Sequence, residues 1–131
     1  MRILIAEDDL ISRKYLFKSL SQYGGCDLAV DGLEALDAVL LSIKDNRPYD
    51  LICLDIMLPK VDGVKVLKSI RDIEQQKGLQ PDKRSKVIMT TALAETQMVR
   101  KAFDIGCDAY AAKPIDLAKL TEVLKKLELI E

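Results

Sequence analysis

Asp50-Leu51-Ile52-Cys53-Leu54-Asp55 is the stretch on which the fold turns. Its four middle residues are apolar without a break, where a strand with one wet face would alternate. The run is short and bounded by turn signals, Asn46-Arg47-Pro48 before it and Pro59 after it, which favours a strand over a helix. The spacing predicts a strand over Asp50–Leu54 that is buried on both faces, the condition of a parallel sheet covered by helices. Asp55 then stands at the carboxyl end, the side on which open α/β sheets bind their ligands.

Working outward, short apolar runs alternate with amphipathic segments along the whole chain. Arg2–Ala6 reads as a first strand without alternation, Cys26–Val30 as a weak second, Lys86–Thr90 as a fourth and Ala109–Ala112 as a fifth. A helix is expected over about Leu10–Tyr23, with Ile11, Tyr15, Leu16, Leu20 and Tyr23 on its apolar face and Gly24-Gly25 at its end. Asp31-Gly32 turns into a second helix with a Leu33, Leu36, Leu40 and Ile43 stripe. Asp62 is an N-cap for a third helix carrying Val66, Leu67, Ile70 and Ile73. The polar Gly78–Ser85 segment, with Pro81, reads as a surface loop. A fourth helix is expected over about Glu95–Ile105, with Gly106 as a left-handed cap. The last carries Leu117, Leu120, Val123, Leu124 and Leu127. Parallel strands need crossover connections, so the pattern predicts a single α/β domain over residues 1–131: a doubly wound five-stranded parallel sheet in the order 2-1-3-4-5.

Composition narrows the function classes. The chain has 131 residues, 49% hydrophobic and 31% charged, with a net charge of −1. That is an ordinary globular balance, and it gives no support to direct nucleic-acid or membrane binding. Runs such as Ala38–Ile43 are too short to span a bilayer, and the N-terminus meets acids too soon for a signal peptide. A cytoplasmic location is expected. There is no histidine, which removes Ser-His and Cys-His catalysis and any phosphohistidine within this chain. The cysteines, Cys26, Cys53 and Cys107, lack metal-ligand spacing and read as reduced structural thiols.

Reading only the strand ends gives a short chemical inventory: Glu7-Asp8-Asp9, Asp55, Thr90-Thr91 and Lys113-Pro114. Carboxylates from two strands would meet on one rim and repel, so either one is protonated or a cation sits among them. A few hard oxygen ligands suit Mg²⁺, which keeps several waters and uses one or two carboxylates plus phosphate oxygens. Asp55 would be both metal ligand and nucleophile, Lys113 its counter-charge, and Thr91 a hydrogen-bond donor to phosphoryl oxygens. The inventory amounts to phosphoryl transfer driven by positioning and charge neutralisation.

Ile3-Leu4-Ile5-Ala6-Glu7-Asp8-Asp9, Asp55-Ile56-Met57-Leu58-Pro59 with Asp62-Gly63, Thr91-Ala92 and Lys113-Pro114 resemble, in order and spacing, the signature blocks of two-component receiver domains, the chemotaxis-regulator type among them. The likeness covers essentially the whole chain and implies a flavodoxin-like fold. It implies that Asp55 accepts phosphate from a sensor histidine kinase or histidine phosphotransfer protein. Asp8, Asp55 and the Met57 carbonyl would bind Mg²⁺, with Glu7 acting largely through water. Thr91 and Lys113 would be phosphoryl ligands, and Tyr110 the switch aromatic on the face of helix four, strand five and helix five. A cis Lys113–Pro114 bond is also implied. Glu7 is a common alternative at the first acidic position, and the Gly78–Ser85 loop is longer than in the shortest members.

Three rival readings fit the residues less well. A dinucleotide site would need a glycine-rich turn after strand one, where Glu7-Asp8-Asp9-Leu10 would repel pyrophosphate. An aspartyl-phosphate phosphatase would carry a second carboxylate two residues after its nucleophile, where this chain has Met57. A degenerate receiver acting only as a docking scaffold is the third, and the intact acids, Thr91 and Lys113 count against it. The chain is expected to catalyse its own phosphotransfer and hydrolysis rather than to turn over a separate substrate. Met57 and Leu93 flank the site, and their apolar character is expected to slow attack by water. The downstream target is not readable from the sequence.

Overall fold

Strands form where the apolar runs stand, and helices fill the crossovers between them. The computed structural model describes residues 1–92 and 96–131. In chain order the elements are β1 (Arg2–Ala6), α1 (Leu10–Leu20), β2 (Gly25–Ala29), α2 (Gly32–Lys44), β3 (Leu51–Asp55), α3 (Gly63–Gln76), β4 (Lys86–Thr91), α4 (Thr96–Ile105), β5 (Ala109–Ala112) and α5 (Leu117–Lys126), with a 3₁₀ turn at Pro81–Lys83. All pairings are parallel and the strand order is β2-β1-β3-β4-β5, as expected from the sequence. Glu95, the expected first residue of the fourth helix, and Leu93 lie outside the described residues.

Two apolar layers sandwich the sheet. On one face Leu4, Ile52, Leu54, Val87 and Met89 pack with Val39, Leu67, Ile70 and Ala102 of α2, α3 and α4. On the other, Ile3, Ile5, Cys53 and Ile88 pack with Leu16 and Leu20 of α1 and Leu120 and Leu124 of α5. Every side chain of β3 is buried, which is why that run has no polar alternate positions.

Helix starts are fixed by aspartates. Asp9, Asp31, Asp62 and Asp116 each accept a hydrogen bond from the backbone N–H three residues on, satisfying a donor that the first turn leaves over. At the start of α3, Gly63 lies so close to β3 that a Cβ there would sit 2.1 Å from the Asp55 carbonyl oxygen. The absence of a side chain is what lets α3 begin beside Asp55. Gly106 closes α4 with φ +126°, in the positive range expected of it.

Two helical stripes differ from the sequence expectation. In α1 the buried residues are Leu16, Ser19 and Leu20, whereas Ile11 is 79% exposed and Tyr15 also faces water. In α2 the buried residues are Ala35, Val39 and Ser42, with the expected Leu36 and Ile43 packed against the same core, whereas Leu33 and Leu40 are about half exposed. Small residues let α2 lie close on the sheet, so Leu33 and Leu40 fall to its flanks. The three cysteines are unpaired thiols, and burial pushes Cys53 up to about 12 and Cys107 up to about 11.

Candidate phosphoryl-acceptor site

Register brings the site together. Ala6 pairs with Leu54, and Asp55 with Thr90, so Glu7, Asp55 and the end of β4 lie side by side on the rim formed by the carboxyl ends of the strands. Carboxylate oxygens of Glu7, Asp8 and Asp55 lie within 4.8 Å of one another. Glu7 and Asp55 are buried, while Asp8 is exposed. Asp9 stands apart chemically, because its carboxylate is taken up in capping Ser12 N–H at 2.9 Å.

Lys113 follows β5, and its backbone N–H donates to the Thr91 carbonyl at 2.7 Å. Its ammonium pairs with Glu7 Oε1 and lies 3.1 Å from Asp55 Oδ2. The Lys113–Pro114 bond is cis, as expected. Backbone amides supply further donors: Asp9 N–H to Glu7 Oε2 and Met57 N–H to Asp55 Oδ1, both at 3.1 Å. Burial pushes the Glu7 carboxyl above its ordinary value, and the Lys113 and Asp9 hydrogen bonds offset part of that rise. Burial works against the charge on Lys113, but its pairings with Glu7 and Asp55 outweigh it and the net shift is upward.

The donor set fits Mg²⁺. It is all oxygen, two acids are already held in place, and the third is open to solvent, where an ion can enter. Three carboxylates face one paired ammonium, and Asp8 makes no salt bridge among the described residues. Such an arrangement holds unspent negative charge, which a divalent cation would neutralise.

The other expected residues lie around this cluster. Met57 is 67% exposed on the loop after β3. Thr91 is buried at the end of β4. Tyr110 alternates with Ala109 and Ala111, which pack on the α1/α5 face, so its ring is directed to the α4 side. There it meets Phe103 edge-on, with centroids 6.2 Å apart and planes at 88°. Arg13 was not among the expected site residues. From the second turn of α1 its guanidinium Nη1 donates to the carbonyls of Glu7 and Asp8, at 3.0 and 3.2 Å. A lone arginine past a helix N-cap carries no signal in sequence that distinguishes it from a solvated charge.

Comparison with known proteins agrees with this geometry. The family model for the response regulator receiver domain matches residues 3–125. The chain is 32% identical over 124 residues to a chemotaxis protein CheY of Treponema pallidum, covering 92% of this chain and 78% of that protein. It is 36% identical over 127 residues to hybrid signal transduction histidine kinase L of Dictyostelium discoideum, covering 95% of this chain and 7% of the kinase. Across the rice and Dictyostelium histidine kinases that it matches, the chain spans between 4% and 12% of their length. Among solved structures, it is similar to the Saccharomyces cerevisiae complex of the histidine phosphotransfer protein Ypd1 with the receiver domain of Ssk1, at TM-score 0.80 and 29% identity over 95% of this chain and 87% of that one. It is also similar to the CheX-CheY-BeF3-Mg complex of Borrelia burgdorferi, at TM-score 0.82 and 28% identity over 100% of this chain and 90% of that one. With the family model spanning nearly all of its residues, and the sheet order and acidic rim in place, this chain belongs to the response regulator receiver domain family.

Proposed function

We propose that the chain is a phosphorylation-dependent switch in which Asp55 accepts a phosphoryl group from a phosphohistidine on a sensor histidine kinase or histidine phosphotransfer protein. The observation that carries this reading is the placement of Asp55: a buried carboxylate held by Lys113 and the Met57 amide beside two further acids. In the transfer the P–N bond to the donor imidazole breaks as a P–O bond to an Asp55 carboxylate oxygen forms, and the imidazole leaves with its bonding electrons. Glu7, Asp8, Asp55 and the Met57 carbonyl would hold Mg²⁺, Glu7 largely through water. When bound, the ion supplies neutralisation of charge on the phosphoryl oxygens.

The residues of the chain do the rest. Lys113 balances the resting carboxylate and remains beside it as a cation for the incoming phosphoryl oxygens. Thr91 donates a hydrogen bond to one of those oxygens from the end of β4. The Asp9 and Met57 amides keep Glu7 and Asp55 from rotating away. The same site would support hydrolysis of the acyl phosphate, with no separate substrate turned over, in keeping with a signalling role in the cytoplasm. Occupancy of Asp55 then alters the α4/β5/α5 face that a downstream protein reads.

Incubation with phosphoramidate, a small P–N donor, tests the reading by intact-mass measurement. Wild type with Mg²⁺ is expected to gain one phosphoryl group, and Asp55→Asn or wild type in chelator none. An unmodified wild-type chain would overturn the acceptor reading in favour of a docking scaffold.

A further inference from the structure

We infer that Arg13 is a positioning residue for the acidic loop, setting the affinity of the site for a divalent cation without touching the ion. The inference rests on the proposed acceptor reading and deepens it.

Arg13 is half-buried in α1, and one of its guanidinium nitrogens donates to two successive carbonyls, those of Glu7 and Asp8. These two residues link β1 to the Asp9 cap, and their carboxylates belong to the cluster. Holding both carbonyls fixes the peptide planes on either side of Asp8. The neighbouring amide is fixed too, since Asp9 N–H donates to Glu7 Oε2 at 3.1 Å. The loop is therefore held from two sides, by Arg13 through its carbonyls and by Glu7 through the Asp9 amide. Asp8 has no such restraint on its side chain: it is exposed and makes no salt bridge among the described residues. Its direction is set by the backbone that Arg13 grips.

Charge acts in the opposite sense, because a cation behind the acids also repels an incoming ion, so the affinity that Arg13 confers comes from the geometry of the loop. A guanidinium keeps its proton at any physiological pH, so Arg13 places a permanent cation behind a loop of three consecutive acids. It reduces their mutual repulsion without competing for the carboxylate oxygens, because its hydrogen bonds go to carbonyls. Lys113 pairs with the carboxylates themselves and would have to share them with an incoming ion. The two cations thus have different tasks, one shaping the ligand loop and the other balancing its charge.

Magnesium alone is the probe, followed by NMR titration of the backbone amides of the loop and of β3. Arg13→Met keeps the aliphatic stem and removes the donors and the charge. It is expected to weaken Mg²⁺ binding by about tenfold, the lower end of what outer-shell partners contribute to metal sites. Arg13→Lys restores the cation with a different donor geometry and is expected to fall between the two, and Lys14→Ala, on the exposed face of the same helix, to match wild type. The Asp8 and Asp9 amide resonances of metal-free Arg13→Met should move while those of α5 stay in place. A purely structural role would lower the melting temperature and leave affinity and resonances alone. Affinity for Arg13→Met within about twofold of wild type would overturn the inference, whereas failure of wild type to bind Mg²⁺ would overturn the acceptor reading beneath it.

Discussion

The ionisable groups at the rim are arranged for a ligand more than for the free chain. Glu7 and Asp55 share one ammonium, and Asp8 adds a further negative charge within reach of both. Replacing Asp8 by Ala removes repulsion, so the metal-free variant is expected to melt higher than wild type. The gain in wild type on adding Mg²⁺ follows RT ln(1 + [L]/Kd), about 2.7 kcal/mol at a hundredfold Kd. Thermal melts of both proteins with and without Mg²⁺ check this. A lower metal-free melting point for Asp8→Ala together with a retained Mg²⁺ response would place the ion elsewhere. Glu7, Asp8, Asp55 and Lys113 were legible in sequence because each follows an apolar run, and strand ends in a parallel sheet converge on one rim. Arg13 was not, because its role comes from reaching back over its own helix, a contact that leaves no periodicity in the chain.

Far from the rim, a second polar cluster ties three elements together. Arg71 of α3 donates to Glu74 at 2.7 Å, to the Ser85 and Gly106 carbonyls at 2.9 Å and to Asp108 at 3.0 Å. Glu74 is 1% exposed and also accepts from Ser85 N–H, and Asp108 accepts from Val87 N–H. The cluster joins the last turns of α3 to the start of β4 and to the loop between α4 and β5. Arg71→Met leaves Glu74 as a buried charge without its cation, a loss of about 3 kcal/mol. Urea unfolding measures it, and a cost below about 1 kcal/mol would show that the pair is dispensable. The apolar side of α3 is legible in its sequence and this side is not, since a buried glutamate looks like any solvated acid until its partner from a distant segment is known. The α2 stripe divides, with Leu36 and Ile43 packed against the core as expected and Leu33 and Leu40 turned aside. Hydrophobic spacing locates an apolar face, but close packing on a sheet selects the smallest residues of that face, here Ala35, Val39 and Ser42, over the larger Leu33 and Leu40.

The fold as a whole places the proposed acceptor on β3 and the proposed readout on β5, with β4 between them. Asp55 ends β3, Thr91 ends β4, and Tyr110 lies on β5, the next strand across. On the proposed reading, a phosphoryl group on Asp55 would add strong acceptor oxygens beside the end of β4, and the Thr91 hydroxyl would be the donor that turns toward them. A shift of Thr91 would change the packing next to β5, where the Tyr110 ring is 45% exposed and meets Phe103 of α4 edge-on. Such edge-to-face contacts are worth about 0.5–1.5 kcal/mol, weak enough for a charged group at the rim to rearrange. The coupling required is also modest, because ~1–3 kcal/mol changes partner affinity roughly 5–150-fold. Partner affinity measured with and without beryllofluoride and Mg²⁺, in wild type and Thr91→Ala, decides the route. Wild type should show the gain and Thr91→Ala should lose most of it while still binding the mimic. A full gain in Thr91→Ala would mean that partners read the phosphoryl site directly, with Tyr110 a fixed packing residue.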